Sequence, residues 1–151
     1  MRDGAGGKLF CYGTLQHPDV VQALLGVKRP ALAARLDGYA RSGLQGAIYP
    51  GIVPSAGAST SGLVYAQLDR DDLEILDFFE GPLYERIEIQ VVRADGARGP
   101  AWVYAVHPGQ RERITGEAWS FERFCADHAT AYVQRCRALR QQHRSRRSAL
   151  P

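Results

Sequence analysis

Lys8-Leu-Phe-Cys-Tyr12-Gly13-Thr-Leu-Gln-His-Pro18 decides how the chain starts to fold. A short apolar, aromatic run ends at a glycine, the pattern of a buried strand entering a tight loop. After the loop, Asp19 is predicted to cap a short helix from Val20 to Leu25, stopped by Gly26. Successive backbone N–H groups in such a turn can bind an anion or an amide carbonyl. Gly13 permits a positive φ and close approach of a ligand, and Thr14 adds a hydroxyl. Read alone, the segment is more readily an ordinary structural turn than a binding site.

Further along, Ala31 to Tyr39 reads as a weakly patterned strand. Arg41 to Ser61 is glycine-rich and holds Pro50 and Pro54, so it is expected to be a long loop with at most a short strand at Ala47 to Tyr49. Gly62 to Leu68 is a clear strand. Asp69, with Asp72 three residues on, has the form of a capping box. The helix Arg70 to Glu80 that follows stops at Gly81-Pro82. Ile87, Ile89 and Val91 alternate with polar residues in a half-buried strand. Asp95-Gly96 turns it into a partner strand, Ala101 to Val106. Ser120 caps a last helix whose stripe runs through Phe121, Phe124, Cys125, His128, Tyr132, Cys136 and Leu139. Strands dominate, and most connections are too short for helical crossovers. The expected class is α+β: a small mixed β-barrel with flanking helices.

Composition sets the bounds. At 151 residues the chain is predicted to hold one domain, residues 8–142, with 1–7 and 143–151 as flexible tails. No stretch approaches the roughly 18 apolar residues of a membrane span, and Met1 to Gly7 lacks the pattern of a signal peptide. The three cysteines form no CxxC pair. On one helix Cys125 and Cys136 would lie roughly 16 Å apart, too far to bridge. Reduced thiols and a cytoplasmic protein are expected. The net charge of +3 comes from six arginines after Gln134; the remaining 13 basic residues face 16 acidic ones, so the body is acidic. The arginine-rich segment has no interleaved aromatics, which argues against nucleic-acid binding. A monomer without nucleic-acid or membrane partners is the expectation.

The usual chemical motifs are missing. Four scattered histidines give no metal-ligand spacing, so no metal site is predicted. Phosphate-binding glycine loops and a serine nucleophile elbow are absent. Cys11 lies within the apolar first strand and reads as packing. Attention falls on Glu80. Leu73, Leu76 and Glu80 share one helical face, and Phe79 borders it, so a carboxylate stands where a leucine would be expected. Desolvation by aromatics and the negative end of the helix would both raise its pKa, toward roughly 6–7, suited to moving protons both ways. The alternatives are that Glu80 curls out to water or pairs with Arg86.

Taken together, Leu9-Phe-Cys-Tyr-Gly-Thr-Leu15 and the later Gly62-Leu-Val-Tyr, Leu76-Asp-Phe-Phe-Glu80-Gly81 and Tyr84-Glu-Arg86 carry a resemblance. The first resembles the N-terminal signature of the gamma-glutamylcyclotransferase-like superfamily, which includes gamma-glutamylamine cyclotransferases and plant avirulence-induced relatives. The later segments are similar to its second signature, about 65 residues on. Tyr49-Pro-Gly-Ile-Val-Pro54 is similar to the proline-containing loop between them. Cys11 stands where many relatives carry an apolar residue. The resemblance covers roughly Lys8 to Val106 and implies the same small barrel. It also implies a cofactor-free cyclisation that releases 5-oxoproline from a small γ-glutamyl compound. Glu80 matches the family's catalytic glutamate, and Tyr12, Gly13, Thr14 and Leu15 match its substrate-binding loop. Tyr84 and Tyr104 are expected to wall the pocket. Arg86 is a candidate carboxylate ligand or a structural ion pair. The competing reading is a non-catalytic small-molecule binding module of the same fold.

Overall fold

The computed structural model describes residues 4–149. Its strands are β1 (Leu9–Cys11), β2 (Ala31–Gly43), β3 (Pro50–Tyr65), β4 (Tyr84–Arg93) and β5 (Arg98–Val106). Its helices are α1 (Pro18–Leu25), α2 (Arg70–Glu80), α3 (Phe121–Asp127) and α4 (Ala129–Ser148). The strands close into a barrel in the order β1-β3-β2-β4-β5. β1 runs parallel to β5, and the other pairs are antiparallel. The expected α+β mixed barrel with flanking helices is therefore what the chain forms.

β1 is short but closes the barrel, and its three side chains are buried on both faces. Phe10 joins Leu36, Ile52, Val64 and Val103 in one apolar cluster, the barrel filling. Leu9 and Cys11 alternate to the opposite face and pack with Leu24, Leu76, Phe124 and Cys136 from the helices. Two cores thus share one strand, and the helices lie against the side where β1 exits.

The expected loop from Arg41 to Ser61 is instead mostly strand. β2 continues to Gly43, and β3 begins at Pro50. The ladder pairs Asp37 with Ser59 and Tyr39 with Pro54, so four residues of β3 bulge opposite Gly38 alone. Gly38 and Gly57 take positive φ, +86° and +81°, which a side chain disfavours. Pro50 occupies the first position of its strand and Pro54 the edge of the bulge, the places a sheet tolerates proline. The glycines and prolines mark an irregular hairpin rather than a loop.

Three further expectations change. The cap of α1 is His17, whose Nδ1 accepts the Asp19 N–H at 3.1 Å, so the helix starts at Pro18. The last helix, capped by Ser120 as expected, breaks at His128 (φ −131°, ψ −18°) into α3 and α4. The tails also shrink. Helix α4 runs to Ser148, and Arg147 reaches Asp71 (3.1 Å) and Glu74 (3.5 Å) on α2. At the other end Ala5 is buried and its N–H donates to Glu88 Oε1 at 3.0 Å. Residues 1–3 and 150–151 of the predicted tails lie outside the described residues. Among the described residues, no helix is long and apolar enough to cross a membrane.

Candidate active site

Helix α2 exists to present its last residue. Asp69 Oδ1 accepts the Asp72 N–H at 2.8 Å, and Asp72 Oδ2 accepts the Asp69 N–H at 3.0 Å, closing the capping box. Arg29 pairs with the buried Asp72 at 2.8 Å and ties this end to the β2 approach. Ile75 and Leu76 bury the helix against the barrel. At the far end Gly81 takes a φ of +67° and Pro82 cannot continue the α-helix, so the chain passes into a 3-10 turn, Gly81–Leu83. The helix must stop with Glu80 at its end.

There Glu80 borders a cavity of about 410 Å³. One wall is the β1 exit, Tyr12 to Leu15, where Thr14–Gln16 forms a 3-10 turn. Phe79, Glu80, Tyr84, Pro50, Tyr104 and Tyr132 also line the cavity. Among the described residues, Glu80 is the only acidic one of the lining. Glu80 is half-buried, and its desolvation, reinforced by the nearby Asp77 carboxylate, pushes its pKa from the usual 4.5 up to about 8. No cation pairs with it among the described residues. Tyr12, Tyr84, Tyr104, Tyr132 and Cys11 line the same cavity, and a charge on Glu80 further disfavours ionising them.

The structure brings Glu80, Tyr12, Gly13, Thr14, Leu15, Tyr84 and Tyr104 around this one cavity. The tyrosines are held rigidly. Tyr12 Oη donates to the Tyr104 carbonyl at 2.6 Å, and Tyr84 Oη donates to the Pro50 carbonyl at 2.7 Å. Tyr104 Oη donates to Asp77 Oδ1 at 2.7 Å. Burial raises all three phenols above their ordinary pKa, so they stay neutral. Thr14 Oγ1 donates to Tyr132 Oη at 3.3 Å, fastening the turn to α4.

Two expectations need correction. Gly13 does not use a positive φ; its backbone sits at φ −126°, ψ −132°. The constraint is space, because a Cβ there would lie 2.9 Å from the Pro50 ring. Arg86 is not part of the cavity lining. Its Nε and Nη2 donate to the two Asp77 oxygens at 2.8 and 3.1 Å, and its guanidinium stacks 4.4 Å from the Trp102 ring centroid. The fork-to-fork geometry satisfies Arg86 outside the pocket, so neither a bound carboxylate nor Glu80 is its partner. Cys11 is buried and its thiol is pushed well up by burial, which suits packing rather than attack.

Five contributors escape a reading of local pattern. Asp77 anchors both Arg86 and Tyr104. Arg41 donates to the Tyr12 carbonyl at 3.0 Å and stacks 5.5 Å from the Trp119 ring centroid, so it steadies the turn. Tyr132 reads only as a member of an apolar stripe. Arg113 and Arg135 line the cavity although sequence assigns them to polar segments. Only Asp77 has a local cue, its place one turn before Glu80.

The closed mixed barrel with flanking helices is the fold of a solved gamma-glutamyl cyclotransferase. That structure superposes with a TM-score of 0.60 at 19% identity, covering 67% of this chain and 66% of that one. A solution structure from Arabidopsis thaliana matches with a TM-score of 0.67 at 32% identity over 85% of this chain and 87% of its own. AIG2-like protein A of the same plant is 34% identical over 131 residues, 83% of this chain and 76% of that protein. The chain belongs to the Gamma-glutamyl cyclotransferase, AIG2-like family, whose pattern it matches over residues 9–121.

Proposed function

We propose that this protein is a cyclotransferase that releases 5-oxoproline from a small γ-glutamyl compound. The α-amine nitrogen of the substrate bonds to its own γ-carbonyl carbon. The bond from that carbon to the leaving nitrogen then breaks, giving the five-membered lactam and a free amine or amino acid. The observation that carries this reading is Glu80: a half-buried carboxyl with a raised pKa, lining the same cavity as the Tyr12–Leu15 turn.

The chemistry follows from the parts. Folding the glutamyl chain onto itself supplies much of the rate, since well-oriented intramolecular reactions gain up to roughly 7–11 kcal/mol. The aromatic walls are the mould. Glu80 takes the proton released by the attacking amine and returns it to the departing nitrogen. A carboxyl with a pKa of about 8 is a far better base than an ordinary one and still gives the proton back. The first amides of the 3-10 turn have no partner inside the turn, and they hold the α-carboxylate or the developing oxyanion.

The test is Glu80→Gln, which keeps shape and removes the base. Incubation with a panel of γ-glutamyl amines, amino acids and peptides, read by mass spectrometry for 5-oxoproline, should show a loss of about 10²–10⁴-fold in kcat with an intact fold. Full turnover by the variant would refute the role. Wild-type protein that binds these compounds without releasing 5-oxoproline would instead make the domain a binding module.

A further inference from the structure

Two cations share the cavity with Glu80, and the cyclisation itself does not use them. Arg135 comes from α4, and Arg113 ends the 3-10 turn Pro108–Arg113 that follows β5. They reach the pocket from unrelated parts of the chain. Neither is paired with a carboxylate among the described residues. Arg113 Nη2 donates to the Gln45 carbonyl at 3.2 Å, which fixes its direction and leaves most of its five donors free. Arg135 stacks over Tyr132, 5.8 Å from the ring centroid. Arg135 also lies one helical turn beyond Tyr132, whose hydroxyl touches Thr14 of the amide turn.

Charge matching then selects a substrate. The γ-glutamyl head is a zwitterion: its ammonium belongs with Glu80 and its α-carboxylate with the turn amides. With the head in place, half-buried Arg113 and exposed Arg135 still have no carboxylate partner among the described residues, and the part of the substrate left to supply one lies beyond the scissile bond. Building on the cyclotransferase reading, we propose that Arg113 and Arg135 bind a carboxylate on the leaving group, so that the preferred substrates release an amino acid or peptide rather than an uncharged or cationic amine. Guanidinium suits this because its fork matches a carboxylate in a way a point charge does not.

The experiment uses two probes that differ by one carboxylate, γ-glutamyl-alanine and γ-glutamyl-ethylamine. Wild-type kcat/KM should favour the alanine compound by about tenfold or more, the scale of one charge-assisted hydrogen bond. In Arg113→Gln/Arg135→Gln the ratio should fall toward unity through loss on the alanine compound alone. Arg135→Lys should recover part of the preference. Equal use of both probes by the wild type, or an unchanged ratio in the double variant, overturns the assignment. An equal loss on both probes also overturns it and moves the arginines to the glutamyl head or to the scaffold. If neither probe is turned over, the cyclotransferase reading fails by itself. Dissociation constants of the same pair, measured by calorimetry on Glu80→Gln, then decide the charge preference independently.

Discussion

Glu80 carries two consequences that pull in opposite directions. As a base it must be ionised, so kcat/KM should climb with pH until the carboxyl titrates, at about 8 in the free protein. As a half-buried group whose charged form is disfavoured, it costs stability. Below about 4.5 both folded and unfolded chains hold the proton. Between about 4.5 and 8 the unfolded chain releases a proton that the folded chain keeps, so this group lowers stability as pH rises; above about 8 the cost is constant. Glu80→Gln should therefore gain on the wild type in urea melts, by roughly 1–3 kcal/mol at pH 8 and by little at pH 4. A difference independent of pH would mean that the carboxyl is solvated. Gly13 makes a second residue-scale case. Its absent Cβ leaves room for the Pro50 ring at 2.9 Å, and Gly13→Ala should cost roughly 1–3 kcal/mol in denaturant melts and displace the turn.

Helix α2 links stability to the site. The capping box and the Arg29–Asp72 pair hold its start, and Asp77 clamps its end through Arg86 and Tyr104. Asp72→Ala removes a cap and leaves Arg29 without its 2.8 Å partner in a mostly buried place. A loss of about 2–3 kcal/mol in thermal or urea unfolding is expected, larger than a cap alone. Breaking the clamp is different. Arg86 and Asp77 are partly solvated, so Arg86→Met should cost little stability, about 1 kcal/mol or less. It would also leave Asp77 without its counter-charge one turn from Glu80, so the activity–pH profile should move to higher pH. A profile that stays in place would mean that the pair serves packing only.

For the whole molecule, the barrel filling and the helix layer share β1, so damage to either reaches the cavity. Phe10, 1% exposed in the barrel cluster, is with Phe124 the largest of the fully buried side chains among the described residues. Phe10→Ala should cost about 3–5 kcal/mol and abolish or greatly lower the yield of folded protein. The end of α4 carries much less. Its ties to α2 are the exposed pairs of Arg147 with Asp71 and Glu74 and the stacking of Arg146 on Phe78. Truncation after His143 should lower stability by about 1 kcal/mol or less, with the loss fading at high salt.

Local physics was enough for much of this. The capping box of α2, its stop at Gly81-Pro82, the β4–β5 hairpin and the out-of-place carboxylate at Glu80 all follow from short-range pattern, because caps, breakers and periodicity act within a few residues. The strand content of Arg41 to Ser61 did not follow. Glycine and proline read as loop until the partner strand shows them lying at a bulge and at a strand start. Nor could spacing say whether Arg86 or Asp77 would stand nearest Glu80, since that depends on how β4 and β5 lie beside the helix. The break at His128 and the arrival of Arg113 and Arg135 at the cavity belong to the same kind. Neighbours distant in the chain meet only once the barrel has closed, and it is those neighbours that set a buried group's charge and partners.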